Sequence, residues 1–162
     1  MALLSAGGVS RVVDVRTVPK SRRHPHFAAE SLTESLPGRG LSYEHEPGLG
    51  GFRRPRPDSP NRGWEHEGFR GYADYMATPG FARALECLEA AARTEPTGIM
   101  CAEGQWWRCH RRLISDALVV RGWRVRHLGL RAEPVDHELT PFLVLEPDGG
   151  LKYPAAQTEL EI

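Results

Sequence analysis

The run Arg11-Val12-Val13-Asp14-Val15-Arg16 constrains this chain more than any other stretch. Three β-branched residues within four positions read as a buried strand, and Thr17-Val18-Pro19 closes it. A strand buried so early in the chain needs helices to cover it, and helical patterns follow. Ala28 to Leu36 reads as a short helix stopped by Pro37-Gly38. Thr78-Pro79 pairs a cap with a first-turn proline and opens a helix running to about Arg93, with Phe81, Leu85, Leu88 and Ala92 on one stripe. Leu113, Ile114, Ala117 and Leu118 mark another amphipathic helix, starting near Cys109 and ending near Gly122.

Between these helices lie further strand candidates: residues 41–46, with Leu41, Tyr43 and His45 on one face, and Thr97 to Cys101. Residues 122–128 alternate through Trp123, Val125 and His127, and residues 142–146 read as a last edge strand. Strands alternating with helices predict an α/β fold with a mainly parallel sheet and flanking helices, Rossmann-like. We expect a single domain over residues 1–153 and an acidic tail over 154–162. Residues 47–64 form a polar loop with four prolines and four glycines, a length that a compact domain keeps for function or mobility. The arginine run at 53–56 within it reads as a solvated or disordered loop.

Charge is balanced overall but unevenly placed: residues 1–132 carry a net +6 and residues 133–162 a net −6. A basic body suits a phosphate-bearing small molecule or a nucleic acid as partner. Three cysteines are an odd number, and no secretory leader precedes them, which predicts a reducing, cytoplasmic setting rather than a disulfide framework. No apolar run approaches membrane-spanning length, so no membrane partner is expected. The sequence leaves the oligomeric state open.

In parallel sheets ligands collect beyond the carboxyl ends of the strands. Two reactive stretches belong at that rim: Asp14, Arg16, Ser21, Arg22 and Arg23 after the first strand, and Cys101, Glu103, Cys109, His110 and Arg111 after the strand at 97–101. Together VVDVRTVPKSRRHPHF, LGG with GFRGYADYM, CAE-x5-CHR and HELTPF resemble the family catalogued as domain of unknown function 488, over about Val12 to Tyr153. That resemblance implies a compact α/β domain without a settled activity. It implies shared polar residues at Asp14, Arg16, Ser21, His45, Tyr72, Cys101, Glu103, Cys109, His110 and Arg111. Family members usually begin with a further strand carrying a Gly-His-Ser motif, then a helix; MALLSAGGVS is similar to the end of that helix.

Four chemistries compete for the cysteine loop. Cys101, Cys109 and His110, with Glu103 and His45 nearby in type, are ligand candidates for zinc or iron, although Cys-x7-Cys is not the Cys-x2-Cys spacing of common zinc knuckles. A disulfide or redox pair lacks the Cys-x-x-Cys spacing. A strand ending in Cys101 before a loop and a helix resembles the oxyanion cradle of rhodaneses and cysteine phosphatases, which would place persulfide or phosphate chemistry at Cys101. The phosphatase arginine position, however, falls on Trp107.

The residue types favour a fourth reading, a pocket for a nucleotide or an extruded base. Arg16, Arg22, Arg108 and Arg111 would bind phosphate, with Ser21 and His45 lining the site. Glu103 or Asp14 would act as general acid or base, positioned by His110. Trp106 or Trp107, with Tyr72, would stack a flat ring. The leading expectation is therefore an enzyme acting on a phosphate-bearing, nucleotide-type or nucleic-acid substrate, through base-modifying, glycosidic or phosphoester chemistry, with no cofactor required. The alternatives are a non-catalytic phosphate or nucleic-acid binding module and rhodanese-like chemistry at Cys101. Plainer roles are also expected. Cys87 is inert within its helix, Asp14 and Arg16 form a structural pair, Trp106 or Trp107 covers the core, and His24, His26, His66 and His137 are solvated.

Overall fold

The alternation of inward directions along the first strand sets up three layers. In the computed structural model, which describes residues 2–129 and 133–156, β1 spans Arg11–Asp14. Val13 and Val15 point into the larger core, and Val12 points into a smaller one on the other face. Both faces of the strand are covered, which is why its apolar run is nearly continuous rather than alternating.

The smaller layer is built by α2 (Ala29–Ser35), whose Leu32 packs with Leu36, Leu41 and Val12, and Leu4 from the short α1 (Ala2–Ala6) joins them. The larger layer holds α3 (Glu67–Met76), α4 (Pro79–Thr94) and α5 (Arg111–Val120). Their Tyr72, Phe81, Leu85, Leu88, Leu113 and Ile114 form one cluster with Val13 and Val15. The Thr78 hydroxyl accepts from the Phe81 N–H at 3.3 Å and Pro79 occupies the first turn, so α4 starts where the cap-proline pair predicts.

β1 is central. β2 (Ser42–His45) and β3 (Thr97–Met100) flank it in the order β2-β1-β3, and both pairings are parallel. The register sets Asp14 beside His45 and Met100, so the residues following all three strands emerge at one edge.

Two predicted strands do not join this sheet. Within 122–128 only β4 (Arg126–His127) is extended and paired, antiparallel with β5 (Val135–Asp136). Within 142–146, β6 (Val144–Leu145) pairs antiparallel with β7 (Leu151–Lys152). Side-chain anchors explain the first departure. Trp123 donates its indole N–H to Glu89 of α4 at 2.8 Å, and His127 stacks flat on Trp106 with ring centroids 3.6 Å apart. These contacts hold the segment's ends in place of a sheet ladder.

The GFRGYADYM motif lies on α3, where Asp74 organises the preceding loop. Its carboxylate accepts from the Arg56 N–H at 2.8 Å, the Ser59 hydroxyl at 2.6 Å and the Asn61 amide at 2.8 Å. Asn61 in turn accepts from the Tyr153 N–H at 2.9 Å. Residues 47–64 are therefore a fastened loop rather than a disordered one. Arg53 lies over the Tyr75 ring at 3.7 Å, and Gly71 is required because a Cβ there would run into the Arg53 carbonyl. Tyr153 is fully buried, so the folded unit reaches at least that far. Most of the predicted acidic tail, residues 157–162, lies outside the described residues.

Candidate functional site

Asp14 ends β1 fully buried, with both carboxylate oxygens engaged by Arg16 and with Tyr43 of β2. Arg16 donates from Nε at 2.8 and 3.0 Å and from Nη2 at 2.5 Å, and the Tyr43 hydroxyl donates at 2.7 Å. Burial alone would raise the Asp14 pKa. The Arg16 and Tyr43 hydrogen bonds outweigh it and hold the carboxyl below its usual range. Asp14 is thus the structural partner that aims Arg16. Arg16 also donates to the Phe27 carbonyl at 2.8 Å and is among the residues that line a cavity of about 410 Å³ at the carboxyl edge of the sheet.

The floor of that cavity is a thiol–imidazole cluster. Cys101 follows β3, while Cys109 and His110 precede α5, so a short turn at 106–108 brings the second thiol back over the first. The ligand atoms of Cys101, Cys109 and His110 all lie within 4.8 Å of one another. His110 Nε2 is 3.0 Å from the Val15 carbonyl, an acceptor only, so Nε2 carries the proton. In the neutral ring Nδ1 then presents its lone pair to Cys109 Sγ, 3.5 Å away. Burial lowers the His110 pKa and favours that neutral form.

The two thiols differ. The neighbouring Cys101 thiol brings the Cys109 pKa down to about 6, against the opposing effect of burial, with further help from Arg111. The same proximity to Cys109, with burial, pushes Cys101 up. The shift thus lowers Cys109 and raises Cys101, where the strand-end position of Cys101 suggested the reverse.

The wall is mixed. Lys20 and Arg108 line the cavity with Arg16, and Phe52, His66, Phe69 and Tyr72 supply aromatic surface. Phe52 is 94% exposed and holds a left-handed backbone, φ 57°. The Thr17 hydroxyl donates to the Gly51 carbonyl at 3.0 Å and ties this loop to the end of β1. Tyr72 is buried, its hydroxyl donates to the Leu49 carbonyl at 2.8 Å, and its ring lies 5.1 Å from that of His110. It offers the site a ring surface and no free hydroxyl.

Several expected residues are placed elsewhere. His45 donates from Nε2 to the Arg16 carbonyl at 2.8 Å and braces the strand end instead of lining the cavity. The Ser21 hydroxyl accepts from the His24 N–H at 3.0 Å in a basic surface loop where Arg22 is exposed. Glu103 stands at the cavity rim, exposed, its carboxylate accepting from the Gln105 N–H at 3.0 Å. Trp107 is half-exposed and outside the cavity lining, while Trp106 carries the stack with His127. Arg111 donates from Nη2 to the Glu103 carbonyl and turns to a second cavity beside Trp106 and His127. Cys87 is on the exposed face of α4.

The expectation of a solvated His137 is corrected. Its side chain is buried, donating from Nε2 to Asp116 at 2.9 Å and, through Nδ1, meeting His127 Nε2 at 2.9 Å. Asp116 also accepts from the Thr140 N–H and the Tyr153 hydroxyl, each at 3.0 Å. The HELTPF motif is thus the strap that closes the domain over α5. Lys20, Phe52 and Phe69 were not singled out from sequence. Only the proximity of Lys20 to Arg16 and the glycines beside Phe52 pointed to them.

A three-stranded parallel sheet between helical layers, with a buried ion pair and a thiol–imidazole cluster at the ends of its strands, defines a compact α/β domain. The chain belongs to the family described as Domain of unknown function DUF488, which it matches over residues 1–118. The matched span contains every residue of the cavity; His137, Thr140 and Tyr153 of the strap follow it. No curated protein and no solved structure matches the chain. Among the described residues no helix is long and apolar enough to cross a membrane.

Proposed function

We propose that this protein is an enzyme acting on a phosphate-bearing, nucleotide-type substrate, bound in the cavity at the carboxyl edge of the sheet. One observation carries the reading: Arg16, Lys20 and Arg108 share a single cavity with exposed aromatic surface and with the Cys101–Cys109–His110 cluster. Cationic side chains suit phosphate oxygens, and Arg16, aimed by Asp14, is the preorganised one. Phe52 and Phe69 suit a flat base. The thiol–imidazole floor supplies the reacting groups, with Glu103 at the rim as an acid/base candidate. The β2-β1-β3 order with helices on both faces supports a Rossmann-like description, in which ligands sit beyond the strand ends.

The test is equilibrium binding of adenosine and guanosine mono- and diphosphates, followed by product analysis. Loss of one charge-assisted contact in Arg108→Ala or Lys20→Ala weakens binding roughly tenfold. No saturable nucleotide binding in the wild type, or unchanged binding in both variants, would sink the proposal. Binding without turnover selects the non-catalytic module instead.

A second reading is favoured by the position of Cys109 two residues before α5, with its thiol pKa lowered by Cys101 and Arg111. In that reading rhodanese-like thiol chemistry occurs at Cys109, with Cys101 as its neighbouring thiol, rather than at Cys101 as the order strand, loop, helix suggests.

A further inference from the structure

We infer that Cys101, Cys109 and His110 form a zinc site with one coordination position open to the cavity. The inference rests on the proposed use of that cavity and deepens it, because it identifies what the cluster holds.

Donor chemistry comes first. Two thiols and one imidazole are a soft set that selects zinc over the hard, oxygen-seeking cations. Geometry comes second. Bond lengths of about 2.3 Å for Zn–S and about 2.0–2.1 Å for Zn–N set a sulfur-to-nitrogen edge of roughly 3.5 Å in a tetrahedral site. The Cys109 Sγ to His110 Nδ1 distance is 3.5 Å, and all three donor atoms lie within 4.8 Å of one another. The cluster therefore needs little rearrangement to close on an ion.

The third argument is the outer contact. A metal-binding histidine is commonly fixed by donation from its other ring nitrogen to a carbonyl or carboxylate. His110 does this through Nε2 to the carbonyl of Val15, the fully buried residue that follows β1, which leaves Nδ1 as the ligand atom facing the sulfur. The imidazole is also backed by the Tyr72 ring, so its orientation is set before any ion arrives.

The fourth position is what makes this a working site and not a structural knuckle. Structural zinc is closed by four protein ligands, whereas three protein ligands leave room for water or substrate. Among the described residues the cluster contains only these three donors. Glu103, the nearest carboxylate in sequence, is turned onto the Gln105 N–H. The open side is lined by Arg16 and Arg108, where an anionic group or a zinc-bound water would lie.

The deciding experiment titrates full-length, reduced, chelator-treated protein with Zn²⁺ alone against a chromophoric chelator, and with Co²⁺ as spectroscopic probe. The expected result is one equivalent bound, with thiolate-to-cobalt charge-transfer absorption and the intense visible bands of four-coordinate cobalt. Cys87→Ser keeps the stoichiometry and the spectrum. Cys101→Ser and Cys109→Ser each lose the charge-transfer intensity expected for two thiolates and lose stoichiometric Zn²⁺ uptake. Circular dichroism confirms that the half-exposed Cys101→Ser variant is folded. No stoichiometric uptake by the wild type, a six-coordinate cobalt spectrum, or uptake unaffected by Cys101→Ser overturns the inference. Because no nucleotide is present, failure here leaves the phosphate-site reading standing. Conversely, normal zinc uptake with no nucleotide binding counts against that reading alone.

Discussion

His110 at the start of α5 donates to the carbonyl of Val15 at the end of β1, across 3.0 Å and 95 positions of sequence. That one bond fixes the tautomer of the imidazole and points its other nitrogen at Cys109. The orientation of the imidazole within the cluster is therefore set by the backbone that follows the central strand.

Cys109 should be the reactive thiol of the pair in metal-free protein. With its pKa brought to about 6, iodoacetamide at pH 7 labels Cys109 ahead of Cys101, as read by peptide mass spectrometry. Cys101→Ala removes the largest favourable contribution and shifts the Cys109 labelling profile to higher pH. Preferential labelling of Cys101 would contradict this assignment.

Asp14→Asn should destabilise the fold by about 3–5 kcal/mol, because it leaves the buried Arg16 charge without its carboxylate. Its pH signature follows from the depressed carboxyl. The contribution of Asp14 is present above the unfolded pKa of about 3.9 and is lost as pH falls through the lower folded value. Urea unfolding of the wild type at pH 6 and pH 3 measures it. The variant should lack that component of the acid loss.

His127 makes a separate acid-sensitive contribution. Burial, then the neighbouring His137 and Arg111, bring its pKa down to about 4. An unfolded histidine binds its proton near pH 6.5, so between about 6.5 and 4 the unfolded state holds more protons and stability falls with falling pH, by roughly 3 kcal/mol in all. His127→Gln keeps a polar partner for His137 and should flatten this part of the stability profile. An unchanged slope between pH 6.5 and 4 would show that another group is responsible.

Asp74→Ala should release the loop at 56–61 rather than the sheet. Three donors lose their acceptor, two of them on the buried Ser59 and Asn61, at a cost of about 3 kcal/mol. Limited proteolysis should cut between Arg53 and Arg62 in the variant while the wild type resists. Equal resistance would mean that the Arg53–Tyr75 contact and the aromatic packing of Trp64 suffice to hold the loop.

Local pattern was enough for the central strand, its two neighbours, the capped α4 and the amphipathic α5, because each carries its own periodicity and stop signals. It was also enough to place the two reactive stretches at one rim, since strand direction in a parallel sheet dictates that edge. Short outer strands were misread because alternation at Trp123, Val125 and His127 reports which side chains turn inward, not what the backbone pairs with. α3 carries no such local signal, as its glycines and polar residues hide a helix whose buried residues are Gly71, Tyr72, Ala73 and Asp74.

What the sequence by itself determined is the composition of the site: thiols, imidazole, arginines and aromatics in an α/β frame. Only the tertiary structure decided their roles. Asp14, an acid/base candidate by type, is buried as the partner of Arg16, and Glu103 is turned toward its own loop. Cys109, not Cys101, is the thiol whose pKa is lowered. The physical reason is that a side chain's protonation and reach are set by neighbours distant in sequence, here Tyr43, Val15 and Arg111, which no local pattern encodes.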